Sequence, residues 1–220
     1  MERKTALVVG ATGLVGTELV KILVEAKEYE KVVVWVRKST GMTNEKLEET
    51  IIDFDKIESY KLDKAKHVFC CLGTTIKKAK TKENFKKVDF DYPVSLAKRA
   101  KESDVSNFLV ISAMGANEKS GIFYNAVKGQ MEEELKRIGL KGLKIFRPSL
   151  LLGERNEFRL GEKIAEVVSK GIPFLFNGSL KKYKPIYGSI VAKAMYKAAV
   201  EELPGCEVFE SKEIEVKGSL

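Results

Sequence analysis

The stretch Ala6–Leu23, ALVVGATGLVGTELVKIL, decides how this chain folds. Ala6–Val9 is an apolar run of the kind that forms a buried strand, and Leu14, Leu19, Ile22 and Leu23 approximate helical spacing. Between them stand Gly10, Gly13 and Gly16. A strand that turns through glycines into a helix is suited to a diphosphate: the glycines admit close backbone approach, and the helix N-terminus presents free N–H groups and a positive dipole end. A dinucleotide is therefore expected at Gly10, Thr12, Gly13, Leu14, Val15 and Gly16. The spacing G-x-x-G-x-x-G departs from the commoner G-x-G-x-x-G, so the signal rests on its strand-before, helix-after context.

Composition sets the bounds. The 220 residues are 44% hydrophobic, which suits one sizeable α/β domain over 1–220, with about 150–190 forming a small substrate-side region. No apolar stretch is long enough to span a bilayer, and MERKTALVVG lacks the small-residue cleavage site of a signal peptide. A cytoplasmic protein with no membrane partner is expected. Cys70, Cys71 and Cys206 do not suggest a disulfide framework, and no Cys/His cluster has metal-ligand spacing, so no metal is expected. The single histidine, His67, reads as structural at a strand start. The net charge of +8 includes the run Lys77–Lys87, with six lysines, but acidic residues are interleaved elsewhere. A solvated, anion-attracting surface is favoured over specific nucleic-acid binding.

Downstream, strands and helices alternate. Lys31–Val36, Glu49–Asp53, His67–Leu72, Asn107–Ser112 and Leu143–Phe146 read as strands, apolar on both faces as in a covered parallel sheet. Asp89–Glu102 and Ile122–Ile138 read as helices, the second capped by Gly139. This order predicts a Rossmann-type, doubly wound parallel sheet flanked by helices, with ligands at the carboxyl ends of the strands. Beyond Pro148 the pattern loosens: Phe158–Lys170 and Ile190–Glu201 read as helices, and Glu207–Glu210 as a short strand. Pocket walls are expected from Ala113–Ser120, Leu150–Phe158 and Phe174–Tyr187.

The second strand ends in Val36-Arg37-Lys38-Ser39-Thr40, with two cations and two hydroxyls but no carboxylate. A ribose 2′-hydroxyl calls for an acid there, whereas a 2′-phosphate calls for cations. NADP(H) is thus expected over NAD, held by Arg37 and Lys38. Asp53, with Phe54 beside it, is placed to meet the adenine.

Ser112 closes the fifth strand, and Tyr124 and Lys128 lie four apart on the following helix, hence on one face. An ammonium beside a phenol stabilises the phenolate and lowers its pKa. Tyr124 could then transfer a proton while hydride moves to or from a nicotinamide, with Lys128 on the nicotinamide ribose and Ser112 on the substrate oxygen.

These features, with CCLGTT, KVDFDYPVSLAKRAKE, FLVISAMGAN, FYNAVKGQMEEEL, IFRPSLLLGERNE and EVFESKEIEVKG, resemble the atypical short-chain dehydrogenases/reductases, in the Tat-interacting-protein-like branch. The resemblance implies Ser112, Tyr124 and Lys128 in the catalytic positions. It also implies that Cys71, Leu72 and Gly73 line the cofactor and that Arg147–Leu150, including Pro148 and Leu150, lies near the nicotinamide. Two positions depart from the pattern. Asp89 stands where many relatives carry asparagine, and Ala113 where a second serine often stands.

The expected function is an NADP(H)-dependent oxidoreductase acting on a small carbonyl or alcohol. An NADP(H)-binding regulatory or scaffolding protein with a protein partner is the alternative. A sugar-nucleotide epimerase is third, because only about seventy residues follow Pro148. Oligomeric state is left open, a homodimer included.

Overall fold

The computed structural model describes residues 4–62, 64–153 and 184–219. Strand β1 (Lys4–Val9) turns through the glycines into helix α1 (Leu14–Glu25), followed by β2 (Tyr29–Val36), β3 (Leu47–Ile51) and β4 (His67–Cys70). Short helices α2 (Ile76–Ala79) and α3 (Lys82–Lys86) lead through a π-helical turn, Lys87–Asp91, into α4 (Tyr92–Glu102). Then come β5 (Asn107–Ile111), α5 (Phe123–Ile138) and β6 (Gly142–Arg147). Beyond them, β7 (Leu151–Leu152) pairs with β8 (Ile186–Tyr187), and α6 (Gly188–Val200), β9 (Gly205–Glu210) and α7 (Ser211–Ser219) follow.

Seven strands form one parallel sheet in the order β3-β2-β1-β4-β5-β6-β9. Side chains alternate across it, and both faces are covered. Ala6, Val8, Val34, Phe69, Leu109 and Phe146 join the core that α1 and α6 complete through Leu19, Leu23, Val191 and Met195. Leu7, Val9, Val33, Trp35, Val68 and Val110 join the opposite core, completed by Leu96 and Ala100 of α4 and Met131 and Leu135 of α5. Double coverage is why these strands are apolar at every position. The order reverses at β1, which lies between β2 and β4, and open α/β sheets bind ligands in the crevice at such a reversal.

Several expected boundaries move. The third strand is Leu47–Ile51 rather than Glu49–Asp53, because Asp53 instead caps a 3₁₀ turn: its Oδ1 accepts from the Asp55 N–H at 3.0 Å. The fourth and fifth strands stop at Cys70 and Ile111, leaving Cys71, Leu72 and Ser112 just beyond them. The helix expected from Asp89 is entered through the π turn, and part of the lysine-rich run forms α2 and α3, anchored by the buried Phe85. Gly139 caps α5 in the left-handed conformation as expected. The helix α7 was not expected; Ile214 buries it. The expected helix over 158–170, and most of the pocket walls over 150–158 and 174–187, lie outside the described residues.

Candidate active site

The glycine turn is built by close contact. Gly10 takes φ +91°, and a Cβ there would sit 2.6 Å from the Cys71 carbonyl. A Cβ on Gly16 would sit 2.2 Å from the Gly10 carbonyl oxygen. Glycine at these two positions therefore lets β1, the start of α1 and the end of β4 meet. The Gly13 N–H donates to the Gly10 carbonyl at 3.0 Å, and the Cys71 N–H donates to Val9 at 2.7 Å. No side chain caps α1, and its first turn carries no acidic residue. The cradle that a Cβ would fill, below an uncapped 12-residue helix, fits a dinucleotide's pyrophosphate. Val15 and Gly16 are buried, whereas Thr12 is exposed. Leu14 reaches the far side of the chain: a Cβ on Gly188 would come 2.9 Å from its Cγ. A Cβ on Gly153 would also meet the Leu14 side chain, so the segment after β6 reaches the start of α1 as well; Pro148 in that segment is buried, and Leu150 is 40% exposed.

At the other end of the crevice, Arg37 and Lys38 are exposed just past β2, and neither forms an ion pair among the described residues. The hydroxyls of Ser39 and Thr40 are not free beside them, because both donate to the Glu49 carboxylate. Asp53 keeps its place past β3, but capping uses one of its oxygens. Phe54 packs against the Tyr92 ring, with centroids 5.5 Å apart.

Tyr124 and Lys128 lie one turn apart on α5, with the Tyr124 ring against Phe85. Lys128 is buried, donates to the Ile111 carbonyl at 3.3 Å and forms an ion pair with Asp89 Oδ1 at 2.8 Å. Burial pulls this ammonium down, but Asp89 and Tyr124 outweigh it and hold it above the ordinary lysine value. The expected acidic phenol is corrected. Burial pushes the Tyr124 phenol up, Lys128 pulls it back only in part, Asp89 adds to the rise, and the net shift is upward. The charge meant for the phenol is shared with a carboxylate.

Ser112 is engaged within the protein. Its hydroxyl donates to Glu132, and the residue is only 3% exposed, so the hydrogen a substrate oxygen would need is already committed. Glu132 in turn accepts from Arg147 through both carboxylate oxygens, and Arg147 donates to Glu210 at 2.9 Å. This network ties the ends of β5, β6 and β9 to α5. The sequence reading missed Glu132, yet a signal existed: Tyr124, Lys128 and Glu132 recur every four residues, one polar stripe on a helix. A cavity of about 510 Å³ lies beside Asn117, Lys119, Glu132 and Arg147, but neither Tyr124, Lys128 nor the glycine turn lines it. It is not where the phenol would act.

Residues 5–120 match the family described as semialdehyde dehydrogenase, NAD binding domain. Protein FMP52-1, mitochondrial, of Scheffersomyces stipitis is 32% identical over 96% of both chains. Protein HTATIP2 of Rattus norvegicus is 32% identical over 79% of this chain and 73% of its own. Among solved structures, the Bordetella bronchiseptica enzyme WbmH in complex with NAD+ superposes with a TM-score of 0.73 at 17% identity, over 96% of this chain and 76% of its own. The expected cytoplasmic placement is corrected by the first of these relatives and its namesakes, which are named as mitochondrial.

Proposed function

This chain belongs to the atypical short-chain dehydrogenases/reductases, in the Tat-interacting-protein-like branch, and on that footing we propose that it is an NADP(H)-dependent oxidoreductase acting on a small carbonyl or alcohol. The observation that carries this reading is the placement of the Tyr124–Lys128 pair. The Lys128 ammonium lies on the last carbonyl of β5, at the carboxyl edge of the sheet that the glycine cradle also occupies. The cradle residues Gly10, Gly13 and Gly16 would hold the pyrophosphate, with the Cys71–Gly73 segment beside it. Arg37 and Lys38, exposed and outside any ion pair among the described residues, are the groups offered to a 2′-phosphate. When bound, the nicotinamide supplies or accepts the hydride.

The chain's own part is the proton. In the reductive direction Tyr124 donates its phenolic proton to the substrate oxygen, and in the oxidative direction its phenolate takes that proton back. Lys128 stabilises the phenolate. Ser112 is a positioning residue in this reading, fixing the end of β5 to α5 through Glu132. Tyr124→Phe is expected to lower turnover by at least about a hundredfold, the lower end of what general acid catalysis contributes. NADPH affinity should stay within about twofold, since the phenol is not part of the cradle. Turnover that survives this change removes Tyr124 from the mechanism.

One observation favours the alternative, an NADP(H)-binding regulatory or scaffolding protein. The phenol is held above its ordinary value, and its lysine is shared with Asp89. A broad carbonyl panel that leaves NADPH unoxidised, with micromolar cofactor binding retained, selects that reading.

A further inference from the structure

Asp89 is 1% exposed and sits within the π-helical turn that precedes α4. Such turns are rare within helices and are frequent at functional sites. Here the two carboxylate oxygens serve different elements. Oδ2 accepts from the Thr74 N–H at 2.8 Å, in the segment that follows β4. Oδ1 faces the Lys128 ammonium at 2.8 Å, from α5. Oδ1 also lies 3.6 Å from where a Cβ on Gly73 would be, so the glycine leaves it room. Among the described residues, the Lys128 ammonium is the cation that this buried oxygen meets.

We propose that Asp89 is a positioning residue that sets the Lys128 ammonium and the Gly73–Thr74 segment as one unit, thereby fixing how much of the lysine's charge reaches Tyr124. This rests on the oxidoreductase reading for its purpose, though not for its test. The charged and titratable groups around the ammonium are Asp89 from the π turn, Tyr124 from its own helix and the Cys70 thiol from β4. Burial pushes that thiol up to about 12, so it contributes no charge near neutrality. Among the described residues, Asp89 is thus the one anion that competes with the phenol. An asparagine there would keep an oxygen for Thr74 and remove the competing charge.

The test follows the Tyr124 phenol by carbon NMR of ring-labelled tyrosine, assigned by its absence in Tyr124→Phe. Asp89→Asn is expected to lower the midpoint of its titration by about one pH unit, the scale of a nearby charge. A midpoint unchanged or raised overturns the proposal. NADPH affinity reads the second arm. Asp89→Ala, which loses the Thr74 bond, should bind about tenfold more weakly than Asp89→Asn; equal affinity overturns the coupling to the loop. Should the Asn variant fail to fold, amide exchange at Thr74 carries the test. Lys128→Gln is expected to speed that exchange at least about tenfold, and an unchanged rate overturns the proposal. None of these readouts needs turnover. A shifted phenol with no activity on any carbonyl would leave the Asp89 assignment standing and remove the oxidoreductase reading alone.

Discussion

At the residue scale, charge is assigned by competition. Lys128 lies between a carboxylate and a phenol, and Glu132 between a hydroxyl and a guanidinium. Glu132 is 1% exposed, so removing it leaves Arg147 and Ser112 without the partner that offsets their desolvation. Glu132→Ala is expected to cost about 3 kcal/mol in denaturant unfolding, the lower part of the range for breaking a buried pair. Arg37 poses the opposite case, an exposed cation with no ion pair among the described residues. Arg37→Ala should weaken NADPH binding by about tenfold or more, since hydrogen bonds to charged groups contribute about 1.5–3 kcal/mol. NADH binding should not change. Calorimetry with both nucleotides checks this, and equal losses for the two would remove Arg37 from the 2′-phosphate.

At the element scale, much of the arrangement is legible in the chain. Strands covered on both faces print themselves as continuous apolar runs, so β1, β2, β4, β5 and β6 are visible at once. The strand β3 is read two residues late, because it lies at the sheet edge and reads LEETI, half polar. The π turn at Lys87–Asp91 leaves no periodic mark, and the use Asp89 makes of its two oxygens is set by segments distant in sequence. Likewise Ser112 could be found at a strand end, whereas the glutamate that accepts its hydrogen bond left only the four-residue polar stripe along α5 as a mark. The glycine turn permits a test of element contact. Gly16→Ala places a methyl 2.2 Å from the Gly10 carbonyl oxygen, so α1 must shift from the turn, at a cost of about 3 kcal/mol and with loss of cofactor affinity. Gly139→Ala meets nothing within 4 Å and bears only the left-handed strain, about 1 kcal/mol, with binding intact. Unfolding and binding measured on both variants separate packing from backbone conformation.

At the scale of the whole molecule, the two ends of the sheet do different work. The carboxyl edge carries the cradle and the Tyr124–Lys128 pair. The amino edge carries a buried relay in which Tyr29 meets His67 Nδ1 at 2.6 Å and His67 Nε2 meets Glu202 at 3.0 Å. This joins β2 and β4 to the turn after α6, and it is the structural role expected for the lone histidine. Burial, the largest cause, holds His67 below its ordinary value, and Glu202 opposes this only in part. The unfolded chain therefore binds this proton more readily than the folded one. Stability should be complete above about pH 6.5, the ordinary histidine value, and decline as pH falls below it. Denaturant midpoints at pH 8 and pH 5.5 check this, and His67→Gln should flatten the difference.

The account as a whole depends on the glycine turn gripping a nicotinamide dinucleotide. Titration calorimetry of the purified protein with NADPH, NADP+, NADH and NAD+, repeated on Gly10→Ala, tests it most directly. The expected result is micromolar binding of at least the phosphorylated pair, lost in the variant whose Cβ would strike the Cys71 carbonyl. No heat from any of the four nucleotides at millimolar concentration would contradict it.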